Sequence, residues 1–383
     1  MPRPAGRSPS VSFRLGILGG GLQGIEAAYL ARQAGWATTM ADGRSAPPGS
    51  GLADEFIHRR VSGSSDLDAV FKNCDIILPA CEDRATLDLL ADWSARTGQP
   101  VAFDPAAYHI SSDKSLSRDL FIRSDTPIPR PWPEAAYPMI AKPANSSGSR
   151  GVRLLNDDAD FKGLFPDGNV NGWIVEEYCP GPSFSLEVTG RPGAHHSWLT
   201  TALEMDEVYD CRQVHAPAGL SDEHEAEFRR ISLNIARHLE LTGLMDVEII
   251  IAPQGIRVLE IDARLPSQTP IVVYWASGEN LLARMLENFI TLPPSAPPPI
   301  PRAVILEHVH VKGSIIWPGE HIMAEAGPLS LEENFFGADW ALTDRRPGRD
   351  DWAATLIITA ADKPSVLAKR REIVSRLNSL GEP

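Results

Sequence analysis

The chain predicts an α/β fold at its start and α+β structure beyond, in three parts. Three observations carry this. Strand and helix patterns alternate from Phe13 to Phe103, short strands dominate after about Tyr108, and a proline run, LPPSAPPPIP, spans Leu292–Pro301. Alternation implies a parallel sheet covered on both faces. A proline run reads as a stiff linker and a domain boundary.

Met1–Ser10 is a polar, proline-containing tail, expected to be disordered. Phe13–Leu18 reads as a buried strand, Gly19–Gly24 as a turn, and Ile25–Ala34 as a helix stopped by Gly35. Ala37–Ala41 is a second strand ending at Asp42. Asp75–Leu78 and Val101–Phe103 are further strands around a helical stretch, Arg84–Arg96. Met139–Ala141, Gly151–Leu154, Trp173–Glu177 and Ser185–Thr189 are short strands. Ser221–Leu239 has the apolar stripe Phe228, Ile231, Ile235 and Leu239, with Ser221 as its cap and Gly243 as its expected end. Glu279–Phe289 is another helix, and Ser365–Leu380 closes the chain. The expected parts are a tail at 1–10, a first domain at 11–108, a central domain at 109–291, a linker at 292–301 and a small C-terminal α+β domain at 302–383.

The formal net charge of −14 argues against broad nucleic-acid binding and against a polybasic membrane patch. Apolar runs such as Val304–Leu306 and Leu356–Ile358 are far shorter than the ~20 residues of a membrane span. No charged start followed by an apolar stretch opens the chain, so no secretory signal is expected. Cys74, Cys81, Cys179 and Cys211 form no CxxC pair, which fits reduced thiols in a cytoplasmic protein.

Gly19, Gly21 and Gly24 satisfy G-x-G-x-x-G between a strand and a helix, with Asp42 at the end of the next strand. That pattern suits a dinucleotide. It suits close helix–strand packing equally well, and both readings stay open on the sequence.

The sharpest feature lies at Met245–Arg264. Asp246–Ile251 and Ile256–Ala263 flank Pro253-Gln254-Gly255, a three-residue hairpin turn with glycine at its left-handed position. Pairing Ala252 with Ile256 places Ile250 opposite Val258 and Glu248 opposite Glu260. Alternation then puts Glu260, Asp262 and Arg264 on one face and Leu259, Ile261 and Ala263 on the other. Facing carboxylates repel, and Mg²⁺ between them removes the conflict. The acids lead directly into Leu265-Pro266-Ser267-Gln268-Thr269-Pro270, a polar loop.

Lys114 stands at a helix start. Lys142 closes an apolar strand just before the Ser/Gly-rich loop Asn145–Gly151, whose backbone N–H groups can cover phosphates. Glu176, Glu177 and Tyr178 end an apolar strand, a placement suited to an adenine and a ribose.

Lys114, Lys142 with its loop, Glu176–Tyr178, then Glu248 and Glu260-x-Asp262-x-Arg264, in that order, resemble the signature of the ATP-grasp carboxylate–amine ligases. GGGLQGIEAAYLARQAG, YDCRQVHAPA and above all IDARLPSQTP are similar to the 3-methylornithine–L-lysine ligases of pyrrolysine biosynthesis, from about Arg14 to Val309. The family's first loop often carries a lysine where Gly21 stands. The resemblance implies a Rossmann-like first domain, an ATP-grasp central domain and a small C-terminal domain. It also implies ATP with Mg²⁺, and a reaction joining the carboxylate of (3R)-3-methyl-D-ornithine to the side-chain amine of L-lysine through an acyl phosphate. Small-molecule amino acids are then the partners. Family members are often dimers, so a homodimer is a further expectation.

The chemistry assigns roles. Two unit negative charges at 4 Å repel by about 4 kcal/mol at an effective dielectric near 20, and ATP carries several. Mg²⁺ on Glu248 and Glu260, with Asp262 as a third ligand, lowers that cost. Lys114 and Lys142 neutralise phosphate oxygens, Ser146, Ser147 and Gly151 belong to the covering loop, and Arg264 holds the acyl phosphate. Lysine is neutral only about once in 2,500 at pH 7, a penalty of roughly 4.6 kcal/mol. A carboxylate must take its proton, and Glu187 and Asp210 are the candidates. Tyr209, Ser267, Gln268 and Thr269 suit the polar ends of an amino acid, and Gln23 and Glu26 are placed to meet its amines. The rivals are an NAD-dependent dehydrogenase using Gly19–Gly24, a non-catalytic nucleotide sensor, and an ATP-grasp ligase for another amino-acid pair.

Overall fold

A computed structural model describes residues 13–144 and 151–379. The first region holds a four-stranded parallel sheet in the order Glu55–His58, Ala37–Asp42, Arg14–Leu18, Ile76–Pro79. Its glycine turn is shorter than expected, because the helix begins at Leu22 and runs to Ala34. That helix is buried on nearly every side, which its AAYLA run allows, and it ends where Gly35 turns left-handed at φ +77. Three elements of this region went unpredicted: the 3₁₀ turn Pro48–Gly51, the strand Glu55–His58 and the helix Ser64–Phe71. The expected strand at Val101–Phe103 reduces to one bridge, Val101 against Ile77.

Two short helices follow, Pro105–Ser111 and Lys114–Arg123. Asp104 and Asp113 cap them, each accepting two backbone N–H groups of its helix. A small antiparallel sheet, ordered Arg153–Leu155, Met139–Pro143, Trp173–Glu177, encloses its own core of Met139, Ala141, Leu155, Phe161, Phe165 and Val175.

The remaining strands build one eleven-stranded sheet. Its main path runs 255–262, 243–252, 183–190, 201–205, 211–216, 303–312, 351–360, 338–343, 330–335. Sheet continuity crosses the proline run, because Ala303–Lys312 pairs with Cys211–Ala216 in the register Gln213 to Glu307. The C-terminal strands therefore extend the central layer and do not form a sheet of their own.

The helix Asp222–Leu239 has its predicted stripe buried and Ser221 as its cap, Oγ accepting from the His224 N–H. Its end differs from expectation. Glu240 takes the left-handed cap position at φ +53, and Gly243 instead starts the next strand. The helix expected at Glu279–Phe289 is confined to Leu281–Leu286, with Asn280 as its cap. Among the described residues no helix is long and apolar enough to cross a membrane.

Candidate active site

The hairpin at Gly243–Asp262 decides where the acids go. Glu248 stands opposite Glu260, as its sequence suggests, but by a different route. The turn is tighter than expected, with Ala252 paired to Gly255, and this slips the upper half by one residue, so that Ile249 faces Val258. A bulge at Leu259 restores the lower register. The bulge also switches the side on which the strand presents its side chains. Ile256 and Val258 above it and Ile261 and Ala263 below it all enter the same core. Glu260, Asp262 and Arg264 are left on the opposite, cleft-lining face. Leu259, expected beside Ile261, lines the cleft as well. The paired strand keeps plain alternation: Met245, Val247 and Ile249 are core, and Asp246, Glu248 and Ile250 line the cleft.

The cleft has a volume of about 750 Å³ and lies between the small sheet and the large one. It gathers Lys114, Lys142, Glu176, Glu177, Tyr178, Tyr209, Asp210, Glu248, Glu260, Asp262, Arg264, Ser267, Gln268 and Thr269 from the sequence-derived set. Ile128, Ile140, Val152, Ile174 and Ile250 add apolar wall. Such a mixture suits a ligand with a flat base and a charged tail.

Charges inside are strongly coupled. Lys114 Nζ lies 3.6 Å from Glu260, and Lys142 Nζ lies 2.7 Å from Glu176. Burial works against the Lys142 ammonium, yet Glu176, Glu260 and Glu248 together raise its pKa. Glu177 is held by Arg130 at 2.6 Å and Arg257 at 3.8 Å. Arg264 bridges Asp262 at 2.9 Å and Glu82 at 3.1 Å. Burial pushes the Glu248 carboxyl well up, and Glu260 and Asp262 push it further. Asp246 is driven up in the same way by burial and by Asp262. An acidic cluster strained by its own repulsion, offering only oxygen donors, fits a hard divalent cation.

Several expected residues stand elsewhere. Glu26 does not line the cleft. It is 2% exposed, and its carboxylate accepts the N–H groups of Gln268 at 3.2 Å and Ile271 at 2.7 Å. It is thus a cap, from the first region, for the helix Thr269–Ser277, and burial lifts its pKa to about 8. Gln23 is off the cleft too, donating to Glu82 at 3.2 Å. Glu187 is fully buried behind the cleft wall, opposite Asp246, with neither carboxylate oxygen hydrogen-bonded, and burial raises it to about 7. Asp210 reaches the cleft but binds the His321 ring and accepts the His321 N–H at 3.1 Å. Gly151 is not among the lining residues, and Ser146 and Ser147 lie outside the described residues.

Four lining acids escaped the sequence reading, one of them Asp113, the helix cap already described. Asp246 shares a strand face with Glu248, so alternation could have found it. Glu82 follows the carboxyl end of the parallel strand Ile76–Pro79, where ligands of such sheets collect. Glu320 comes from the C-terminal region and has no signal in spacing.

The glycine turn makes no part of this cleft. Its backbone is met from inside the protein: Gly19 N–H by Ala41 O at 2.8 Å, Gly20 N–H by Asp42 at 2.7 Å, and Gly20 O by Gly49 N–H at 2.9 Å. A Cβ on Gly19 would stand 2.3 Å from Ala80 O, and one on Gly20 2.7 Å from Pro47. These glycines serve packing.

Known proteins resemble this chain in sequence and in fold. Residues 111–268 match the ATP-grasp domain. The chain is 41% identical over 276 residues to the 3-methyl-D-ornithine–L-lysine ligase of Methanosarcina barkeri, covering 71% of this chain and 72% of that protein. It is 33% identical to the ligase of the same name from Methanosarcina mazei, over 95% of each. In fold it is similar to the ADP complex of the N5-carboxyaminoimidazole ribonucleotide synthetase purK, with TM-score 0.71, 15% identity and coverage of 96% and 98%. Biotin carboxylase from Campylobacter jejuni gives TM-score 0.70, 16% identity and coverage of 95% and 91%.

Proposed function

Because the chain belongs to the ATP-grasp family of 3-methyl-D-ornithine–L-lysine ligases, we propose that it joins the carboxylate of (3R)-3-methyl-D-ornithine to the side-chain amine of L-lysine, converting ATP to ADP and phosphate, as a step in pyrrolysine biosynthesis. One observation supports this reading above the others. A single cleft holds facing carboxylates, Glu248 and Glu260, beside three cations, Lys114, Lys142 and Arg264. The domain bounds fitting it are 11–108, 109–291 and 302–383, with 109–291 as the nucleotide-binding part.

Glu248 and Glu260, with Asp262 as the third candidate, would hold Mg²⁺. Bound there, the ion supplies neutralising charge to a triphosphate. Lys114 and Lys142 meet phosphate oxygens, each releasing the carboxylate it now pairs with. Glu176–Tyr178 and the apolar wall receive the base and ribose. The donor carboxylate then attacks the γ-phosphate, and Arg264, oriented by Asp262 and Glu82, faces the charge that develops on the resulting acyl phosphate. Lysine must lose a proton before its amine attacks. Asp210 on the cleft wall accepts it, and the contact with His321 gives that proton a route to an exposed ring. Ser267, Gln268 and Thr269 hold the polar ends of the amino acids, and Glu26 positions this loop through its backbone.

The test is an ADP-release screen with D-ornithine or its 3-methyl form plus L-lysine, with mass spectrometry of the product. The expected result is ADP formation that needs both amino acids, and a product mass equal to their sum less one water. Release with a different pair alone would move the reading to another ligase. NADH binding with no effect of Mg·ATP on melting would overturn it.

A further inference from the structure

We propose that Glu320, delivered from the C-terminal region, is a specificity-determining residue that receives a primary ammonium group of a free amino-acid substrate. The inference deepens the ligase reading and rests on it for the class of ligand.

Glu320 lies on the segment Pro318–His321, which crosses onto the hairpin tip Asp206–Asp210 of the central region. Three contacts pin it there. The Gly319 N–H donates to Asp206 at 3.2 Å, and the His321 N–H and ring both contact Asp210. Gly319 is pressed so close that an added Cβ would meet the Asp210 carboxylate at 2.2 Å. The pinned segment turns Glu320 into the cleft, where its carboxylate accepts from Ser267 Oγ at 2.7 Å.

The surroundings of this carboxylate call for a cation. Burial raises its pKa, Asp210 raises it further, and Ser267 and Gln268 oppose the shift as hydrogen-bond partners. Among the described residues no basic side chain pairs with it directly; Arg264 acts on it only through space. Beside it, Gln268 is 7% exposed, and its Oε1 is buried without a hydrogen-bond partner. A carboxylate and an orphaned amide oxygen together offer only acceptors. The complementary ligand therefore donates several hydrogens and carries positive charge, and a primary ammonium does both. The other end of the cleft, with Lys114, Lys142 and Arg264, is cationic and serves anions. The two ends sort the two charges of a zwitterion.

The experiment compares wild type with E320Q by calorimetric titration of D-ornithine and of L-lysine, and by steady-state kinetics. Gln keeps an acceptor for Ser267 and nearly the same volume. The expected result is at least a tenfold weaker Kd and a matching rise in KM for one amino acid, with KM for ATP within twofold and the melting temperature held. A cycle with analogues lacking single amines (D-norvaline, 5-aminopentanoate, L-norleucine, 6-aminohexanoate) identifies the group: the E320Q penalty disappears for the analogue without the ammonium that Glu320 holds. Equal binding by both proteins, or a penalty that persists with every analogue, overturns the inference. Failure of wild type to ligate, with amino-acid binding still dependent on Glu320, would overturn the ligase reading and leave this inference standing.

Discussion

In the glycine turn at Gly19–Gly24, the backbone groups of Gly19 and Gly20 meet partners inside the protein, and the space where side chains would stand is filled by Ala80 and Pro47. In the acid hairpin the reverse holds. Asp246, Glu248, Glu260 and Asp262 crowd one face, and among the described residues only Lys114 and Arg264 stand in direct ion-pair contact with that set. Both regions look like ligand motifs. One is satisfied and one is not. Unmet electrostatic demand marks a site better than a pattern of small residues does, because tight packing produces the same pattern.

Five measurements break or sharpen this contrast. Glu260→Ala removes a carboxylate from the hairpin pair and should lower ADP formation by about a thousandfold or more. Its melting temperature should stay close to wild type, since two like charges are relieved. Normal turnover in the variant would sink the metal assignment. At the other region, Gly19→Ala places a Cβ against Ala80 O at φ +114, and should destabilise by on the order of 3 kcal/mol in urea unfolding. NADH should leave the wild-type melting temperature unmoved while Mg·ATP raises it. A benign Gly19→Ala together with NADH stabilisation would make the turn a ligand site after all.

Glu187 tests how far the unmet demand extends behind the cleft. Its folded pKa of about 7 lies above the ordinary value of 4.5, so its contribution to stability is complete below pH 4.5 and is lost as pH rises through 7. A shift of that size corresponds to at most about 3 kcal/mol. In chelator, wild type should lose stability over that window, and Glu187→Gln should flatten the slope; parallel profiles would show that the carboxyl is already satisfied. The smallest effect belongs to Asp42→Asn, which weakens the bond to Gly20 N–H by about 1 kcal/mol and should leave ligation untouched.

Local features of the fold were legible in the sequence. The stripe Phe228, Ile231, Ile235, Leu239 and the pairing of Gly243–Ala252 with Gly255–Asp262 as a hairpin follow from periodicity and turn chemistry. What escaped was non-local. Glu26 and Glu187 are acids on elements near the site, and nothing in their spacing separates a buried helix cap or a walled-off carboxyl from a ligand contact. Glu320 reaches the cleft only because Ala303–Lys312 joins the central sheet, and no local pattern reports which strand pairs with which. The hairpin register came right at Glu248 only because a slip at the turn and an extra residue at Leu259 offset each other.

That extra residue works like a dislocation in a crystal. It lets one ribbon be greasy on the same flank along its whole length while its hydrophilic flank is reserved for ionic work below the fault. Excising Leu259 should therefore do less harm than excising either neighbour. With it gone, Val258 would adjoin Glu260 in plain alternation and the acids would stay on the channel side, whereas removing a residue farther along would turn part of the ribbon over, so a deletion scan along it should find its most tolerant codon here.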